Sequence, residues 1–148
     1  MQPVNRVSIQ FSSIPANVAF ARVAAGSFAS QLDFTINDLE EIKVAVSEAV
    51  TNAIVHGYGT DAGKIIEMAA EIAGDVLTIT VEDMGRGIDN LASALQPAFS
   101  TDPERMGLGF SFMQSFSDSF DIQSEPGKGT RVSMTRICKK GVTPRQGH

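Results

Sequence analysis

The stretch Lys64–Asp83, KIIEMAAEIAGDVLTITVED, divides into two strand-like segments on either side of Gly74-Asp75. Glycine beside aspartate between two such segments is a compact-turn signal, so the pair is expected to form an antiparallel hairpin. Antiparallel strands need no helical crossover between them, which leaves the helices of the chain free to gather on one face of the sheet.

Upstream of the hairpin, Val7, Ile9 and Phe11 alternate with Arg6, Ser8 and Gln10, the period of a strand with one buried face. Pro15 permits a helix start, and Phe20, Ala24, Phe28 and Leu32 form a helical apolar stripe that ends in QLDFT. A second helix is expected from TINDLEE, capped by Asn37 or Asp38 and favoured by Glu40 and Glu41 near its positive end, and running to His56. On a wheel of about 100° per residue with Ile42 at the origin, Leu39, Val46, Ala49, Val50 and Ala53 share an arc of roughly 100°. HGYGTDAG then breaks the helix.

Downstream, the chain turns irregular from Gly85 to about Met106, a third helix is expected to start at the glycines of GLGFSFMQSFSDSF, and FDIQSEPGKGTRVSMTRI reads as two further strands around a glycine turn. The order is strand, two helices, two strands, a long loop, a helix and two strands. The expected class is an α+β two-layer sandwich: a mixed, mainly antiparallel sheet with its helices on one face. Residues 1–138 are read as a single domain and 139–148 as a disordered tail without apolar pattern.

The chain has 148 residues, of which 43% are hydrophobic, enough for one proper core. Its net charge of −5, without a run of Lys or Arg, excludes a basic nucleic-acid groove. Cys138 is the only cysteine and His56 and His148 lie far apart, so neither a disulfide framework nor a zinc constellation is available, and a reducing, cytoplasmic setting fits. The opening MQPVNRVSIQF has no basic region followed by an apolar one, and 18 apolar residues nowhere run together. Neither export nor a membrane is expected.

Within SEAVTNAIVHGY (47–58), Glu48, Asn52 and His56 recur at intervals of four and form a polar column beside the core stripe. A carboxylate and an amide oxygen one turn apart suit a hydrated Mg²⁺ carried on phosphates, and the carboxylate alone suits a base that takes a hydroxyl proton. An ordinary solvated helix edge reads equally well from this helix by itself.

Glycine loops supply further candidates. VLTITVEDMGRGI runs a strand into Asp83, Gly85 and Gly87, where a carboxylate can accept from an exocyclic amine and bare backbone can lie against a planar base; a plain Asp-Gly turn is the alternative. Gly107 and Gly109 stand at the expected helix start, where free N–H groups form an anion site. Between the Asp83-Gly85-Gly87 loop and Gly107 lies NLASALQPAFSTDPERM, a long loop read as a lid, in which Arg105 can bring a cation to a terminal phosphate. EPGKGTRV reads by default as a hairpin turn. A P-loop is excluded because no Gly-x-x-x-x-Gly-Lys-Ser/Thr occurs.

Taken in order, EAVTN, DMGRG, GLGF and GKGT resemble the four nucleotide-contact boxes of the GHKL superfamily, the ATP-binding fold of gyrase, Hsp90, histidine kinases and MutL. FARVAAGSFASQLDF, EIKVAVSEAVTNAIVHGY and FSTDPERMGLGFSFMQSF are similar to the sporulation anti-sigma-F kinases of endospore-forming bacteria, and the likeness extends from about Val7 to Ile137. The resemblance implies ATP or ADP with Mg²⁺ as cofactors, Glu48 as catalytic base for transfer to a protein serine, and Asn52 as the Mg²⁺ ligand. Asp83 is implied to hold the adenine amino group, with Gly85, Gly87 and Thr130 nearby. Gly107, Leu108 and Gly109 are implied to cradle phosphates, under a lid that includes Ser100 and Thr101, with Arg105 at the γ-phosphate. His56 is read as structural.

The same resemblance implies a homodimer with two partners: a sigma factor withheld from RNA polymerase, and an anti-anti-sigma protein phosphorylated on a serine. Arg22 takes the place of the family's partner-binding arginine. This chain departs from the pattern at Val18, where an acidic residue is usual, and in the STDPERMG lid, about two residues shorter than expected. The alternatives are a general-stress anti-sigma-B-type kinase and a nucleotide-regulated binding module without turnover. The retained Glu48 weighs against the module, since binding alone needs no base.

Overall fold

A computed structural model describes residues 4–59, 61–88 and 102–139, with the backbone alone for 102–108. Strand β1 is Asn5–Ser12, and helices α1 (Ala16–Ala29) and α2 (Ile36–Asn52) follow it. A π-helical turn, Ala53–Gly57, extends α2, and then come β2 (Ile65–Ala73), β3 (Val76–Asp83), α3 (Asp102–Ser115), β4 (Ser119–Glu125) and β5 (Gly129–Ile137). The strands form one sheet in the order β1-β2-β3-β5-β4. All four pairings are antiparallel, so the described sheet is not mixed. The hairpin of β2 and β3 closes where the sequence places it, with Ala73 opposite Val76 and Gly74 in the left-handed region at φ 64°.

One face of the sheet carries the core. Ile66, Met68, Ala70 and Ile72 of β2, Leu77, Ile79 and Val81 of β3, and Val132 and Met134 of β5 are buried beneath Ala25 and Phe28 of α1 and Ile42, Val46 and Val50 of α2. The two-residue period of the strands and the α2 stripe meet there. Polar side chains stand at both ends of that inward face. Asp83 ends the β3 row, and Arg136 near the end of β5 donates to Asp38 Oδ1 at 2.9 Å, Glu41 Oε1 at 2.8 Å and the Phe116 carbonyl at 2.6 Å.

Several expectations are corrected. Phe20 is 54% exposed, and α1 instead buries Ala21, Ala25, Phe28 and Ala29. Small residues on that side let α1 pack closely into the core beside α2. The α2 cap is Thr35: its hydroxyl accepts from Asp38 N–H at 3.0 Å while Asp38 Oδ2 accepts from Thr35 N–H at 3.1 Å, a reciprocal capping box. α3 starts at Asp102 and not at the glycines. Pro103 and Glu104 are first-turn residue types, so Gly107 and Gly109 fall inside the helix. Among the described residues no helix is long and apolar enough to cross a membrane.

Candidate functional site

The site lies where the C-terminal half of α2, the end of β3, the start of β5 and α3 meet. A narrow slot of about 20 Å³ opens there, flanked by Asn52, His56, Gly57, Asp83, Gly87 and Phe110, with Thr130 also at its wall. α2 delivers Asn52, and the π-helical turn that follows brings His56 and Gly57 to the same slot. Wide helical turns of this kind are frequent at functional sites because they re-aim the chain.

Asp83 is the inward residue that follows Leu77, Ile79 and Val81 along β3, and it is 4% exposed. Its register places Ile66 on one side and Thr130 on the other. Burial, followed in effect by the charge of Glu82, pushes the carboxyl up to about 6, against hydrogen bonds from the backbone amides of Gly85 and Thr130. The Gly85 bond to Oδ1 measures 2.9 Å. A buried carboxylate in a row of apolar side chains costs stability, which makes it a marker of chemistry.

Two chain segments hold the loop that follows. Gly85 packs so tightly on the Gly57 carbonyl that a side chain would collide with it, and Gly87 at φ 75° stands equally close to the Glu125 carbonyl. Ser124, unnoticed in the sequence, accepts from Ile88 N–H at 2.8 Å and lies 2.9 Å from Thr130 Oγ1. Its signal was weak: a serine next to a glycine turn is ordinary.

Glu48 and Asn52 come together under α3. A Cβ on Gly109 would lie 3.0 Å from Glu48 Oε1 and 3.3 Å from Asn52 Nδ2, so the missing side chain is what admits both polar groups. Asn52 Nδ2 is buried and has no hydrogen-bond partner among the described residues. Such a group is costly unless something satisfies it. The amide presents a donor at one end and a carbonyl oxygen at the other, so it suits a phosphate oxygen or, turned over, a hydrated Mg²⁺. Among the described residues no three His, Cys, Asp or Glu gather to hold a metal on their own. A magnesium ion carried by phosphates fits this donor set, because it needs few protein oxygens.

Arg22 is exposed on α1 beside Val23, which is 63% exposed. Gly107 lies within α3, as do Arg105 and Leu108, whose side chains are not described, and Ser100 and Thr101 lie outside the described residues.

Residues 11–136 match the model of the histidine kinase-like ATPase domain, and the chain belongs to that family. Membership implies nucleotide binding. More narrowly, the chain belongs to the anti-sigma F factor family. It is 46% identical over 134 residues to the anti-sigma F factor of Clostridium perfringens strain SM101, covering 89% of this chain and 96% of that one. With the anti-sigma F factor of Thermoanaerobacter sp. strain X514 it shares 47% over 138 residues, covering 92% and 96%. The fold resembles the crystal structure of the RsbU and RsbW domains of a Mycobacterium tuberculosis protein, with a TM-score of 0.64 at 24% identity over 91% of this chain and 32% of that chain. It also resembles a blue-light activated histidine kinase of Erythrobacter litoralis, with a TM-score of 0.58 at 20% identity over 86% and 42%.

Proposed function

We propose that this chain is a Mg-ATP-dependent protein serine kinase that also acts as an anti-sigma factor. It sequesters a sigma-F-type sporulation factor from RNA polymerase and phosphorylates a serine of its anti-anti-sigma antagonist. The observation that carries this reading is the meeting of Glu48 and Asn52 beneath Gly109, next to the slot that ends in Asp83.

In this proposal Asp83 accepts the adenine amine, Gly85 and Gly87 give the base bare backbone to lie on, and Thr130 stands beside it. Asn52 offers its amide oxygen to Mg²⁺. Bound Mg-ATP supplies the phosphoryl group, with the metal neutralising its charge. Glu48 takes the proton of the antagonist's serine hydroxyl as that oxygen bonds to the terminal phosphorus and the bond to the ADP oxygen breaks. Ser100, Thr101, Arg105, Gly107, Leu108 and Gly109 serve the phosphates, a role supported by the likeness of FSTDPERMGLGF to the family. Arg22, exposed on α1, belongs to the partner surface, and the working unit is a homodimer in the cytoplasm.

The test is the intact mass of the antagonist after incubation with the chain and Mg-ATP, beside a Glu48→Gln variant. One added phosphoryl group, lost with Glu48→Gln while ATP binding persists, is the expected result. Nucleotide binding without transfer by the unaltered chain would leave a nucleotide-regulated binding module.

A further inference from the structure

Three hydrogen bonds tie His56-Gly57-Tyr58, at the end of the α2 extension, to the segment that follows Asp83. Tyr58 N–H donates to the Ala53 carbonyl at 3.0 Å and closes the π-helical turn. Its phenol then reaches between β2 and β3, donating to the Ile65 carbonyl at 2.7 Å and accepting from Met84 N–H at 2.7 Å. The Gly57 carbonyl accepts from Arg86 N–H at 2.9 Å, and the His56 carbonyl accepts from Arg86 Nε at 2.8 Å.

The register gives these bonds a consequence. The β2–β3 ladder has Ile66 opposite Asp83, so the next pair outward is Ile65 and Met84. There the Tyr58 hydroxyl stands between a carbonyl and an amide that a direct rung would have joined. The strands are held apart by the width of one oxygen immediately after Asp83, and the chain leaves the sheet toward Gly57 instead of continuing along β2. Gly57 faces the Asp83 carboxylate itself: a Cβ there would sit 2.7 Å from both Cγ and Oδ1. The turn thus fixes the backbone on the C-terminal side of Asp83 and leaves room for its carboxylate.

We propose that Tyr58 is a positioning residue for Asp83: its hydroxyl, wedged between Ile65 and Met84, sets the carboxylate for an exocyclic amine and thereby contributes to selection of an adenine base. Arg86 assists from the same turn. This rests on the reading of Asp83 as the acceptor of the adenine amine. Removal of the phenol oxygen lets the strands close or the loop drift, while the aromatic ring keeps its place.

The experiment compares the affinity of ATP with that of purine riboside triphosphate, which lacks the 6-amino group, for the unaltered chain, Tyr58→Phe and Arg86→Ala. Thermal unfolding without nucleotide is measured in parallel. The unaltered chain is expected to prefer ATP; Tyr58→Phe is expected to bind ATP about tenfold more weakly and the deaminated analogue within about twofold, so that the preference collapses. Retention of the full preference by Tyr58→Phe, with or without a lower melting temperature, overturns the proposal, since a merely structural role weakens both ligands alike. If Tyr58→Phe does not fold, Arg86→Ala decides: its exposed side chain can be removed without opening the core, and a preference reduced about threefold supports the proposal while an unchanged one ends it. An unaltered chain that binds both ligands equally refutes the Asp83 reading, and the role of Tyr58 falls with it.

Discussion

Gly109 of α3 lies against Glu48 of α2, close enough that a Cβ would come within 3.0 Å of the carboxylate oxygen Oε1. The neighbour is the far end of a flexible side chain, so the fold can accommodate a methyl group by moving Glu48. Alanine also favours a helix interior over glycine by about 0.5–1 kcal/mol. Gly109→Ala is therefore expected to keep or slightly raise the melting temperature, and on the proposed kinase function phosphoryl transfer falls about tenfold through displacement of Glu48 and Asn52. Single-turnover transfer and calorimetry on the same preparation separate the two effects, and a variant that melts early with normal transfer contradicts this packing.

Asp83 links pH to both stability and binding. Its carboxyl is raised from 3.8 to about 6 in the fold, so between about pH 4 and pH 6 the folded chain holds a proton that the unfolded chain has released. The stability associated with that proton is complete below about pH 4 and is lost as pH rises through about 6, a difference of about 3 kcal/mol. Asp83→Asn removes the ionisation and is expected to be about 1–3 kcal/mol more stable than the unaltered chain at pH 7.5. On the proposed role of Asp83 as acceptor of the adenine amine, nucleotide binding runs the opposite way, because an amine donor prefers the carboxylate. ATP affinity should weaken from pH 7.5 to pH 5 and be about tenfold or more lower at pH 7.5 in Asp83→Asn. Urea midpoints and titration calorimetry across this range check both signs.

Much of this arrangement is legible in the sequence for a physical reason. Strand alternation, the Gly74-Asp75 turn and the α2 stripe are local patterns, and each matches its element. Asp83 stood out because a carboxylate ends an apolar strand. Phe20 departs from expectation because periodicity gives a helix's spacing but not which of two adjacent stripes is buried, and here the small residues Ala21 and Ala25 are. The Tyr58 wedge was invisible because its hydroxyl meets backbone atoms of Ile65 and Met84, and backbone partners leave no residue signature. α3 starts five residues before Gly107, at Asp102, because Asp102-Pro103-Glu104 suits a first helical turn while glycine is also tolerated inside a packed helix.

Arg136 ties the far end of the domain together. Half-shielded at 20% exposure, it joins Asp38 and Glu41 of α2 to the Phe116 carbonyl at the end of α3. Burial pushes the Asp38 carboxyl up, but hydrogen bonds with Thr35 and the Arg136 charge outweigh it and leave the group below its ordinary 3.8. The stabilisation is therefore present above that value and is lost as pH falls through the lower, folded one. Arg136→Met is expected to cost about 2 kcal/mol at pH 7, less than for a fully buried pair because water reaches all three groups. Its Kd for ATP should stay within about twofold, since the slot beside Asp83, proposed to take the nucleotide, lies at the opposite end of the inward face. Urea unfolding at pH 7 and pH 3 checks the sign: the gap between variant and unaltered chain narrows in acid.

The exposed side of α1 separates a structural aromatic from one that faces outward. Phe28 is 7% exposed within the core, whereas Phe20 is 54% exposed next to Arg22 and Val23 on the outer side. Phe28→Ala opens a cavity and is expected to cost about 3–5 kcal/mol, against less than about 1 kcal/mol for Phe20→Ala. If this face takes the sigma factor or the antagonist, Phe20→Ala and Arg22→Ala each weaken capture about tenfold or more while leaving the melting temperature within a few degrees, as expected of an aromatic and an arginine at an interface. Denaturant unfolding with surface-capture binding on the same variants gives both readouts. A Phe20→Ala loss as large as that of Phe28→Ala, growing as the protein is diluted, would mean that a second copy of the chain covers this face and that Phe20 belongs to the dimer interface.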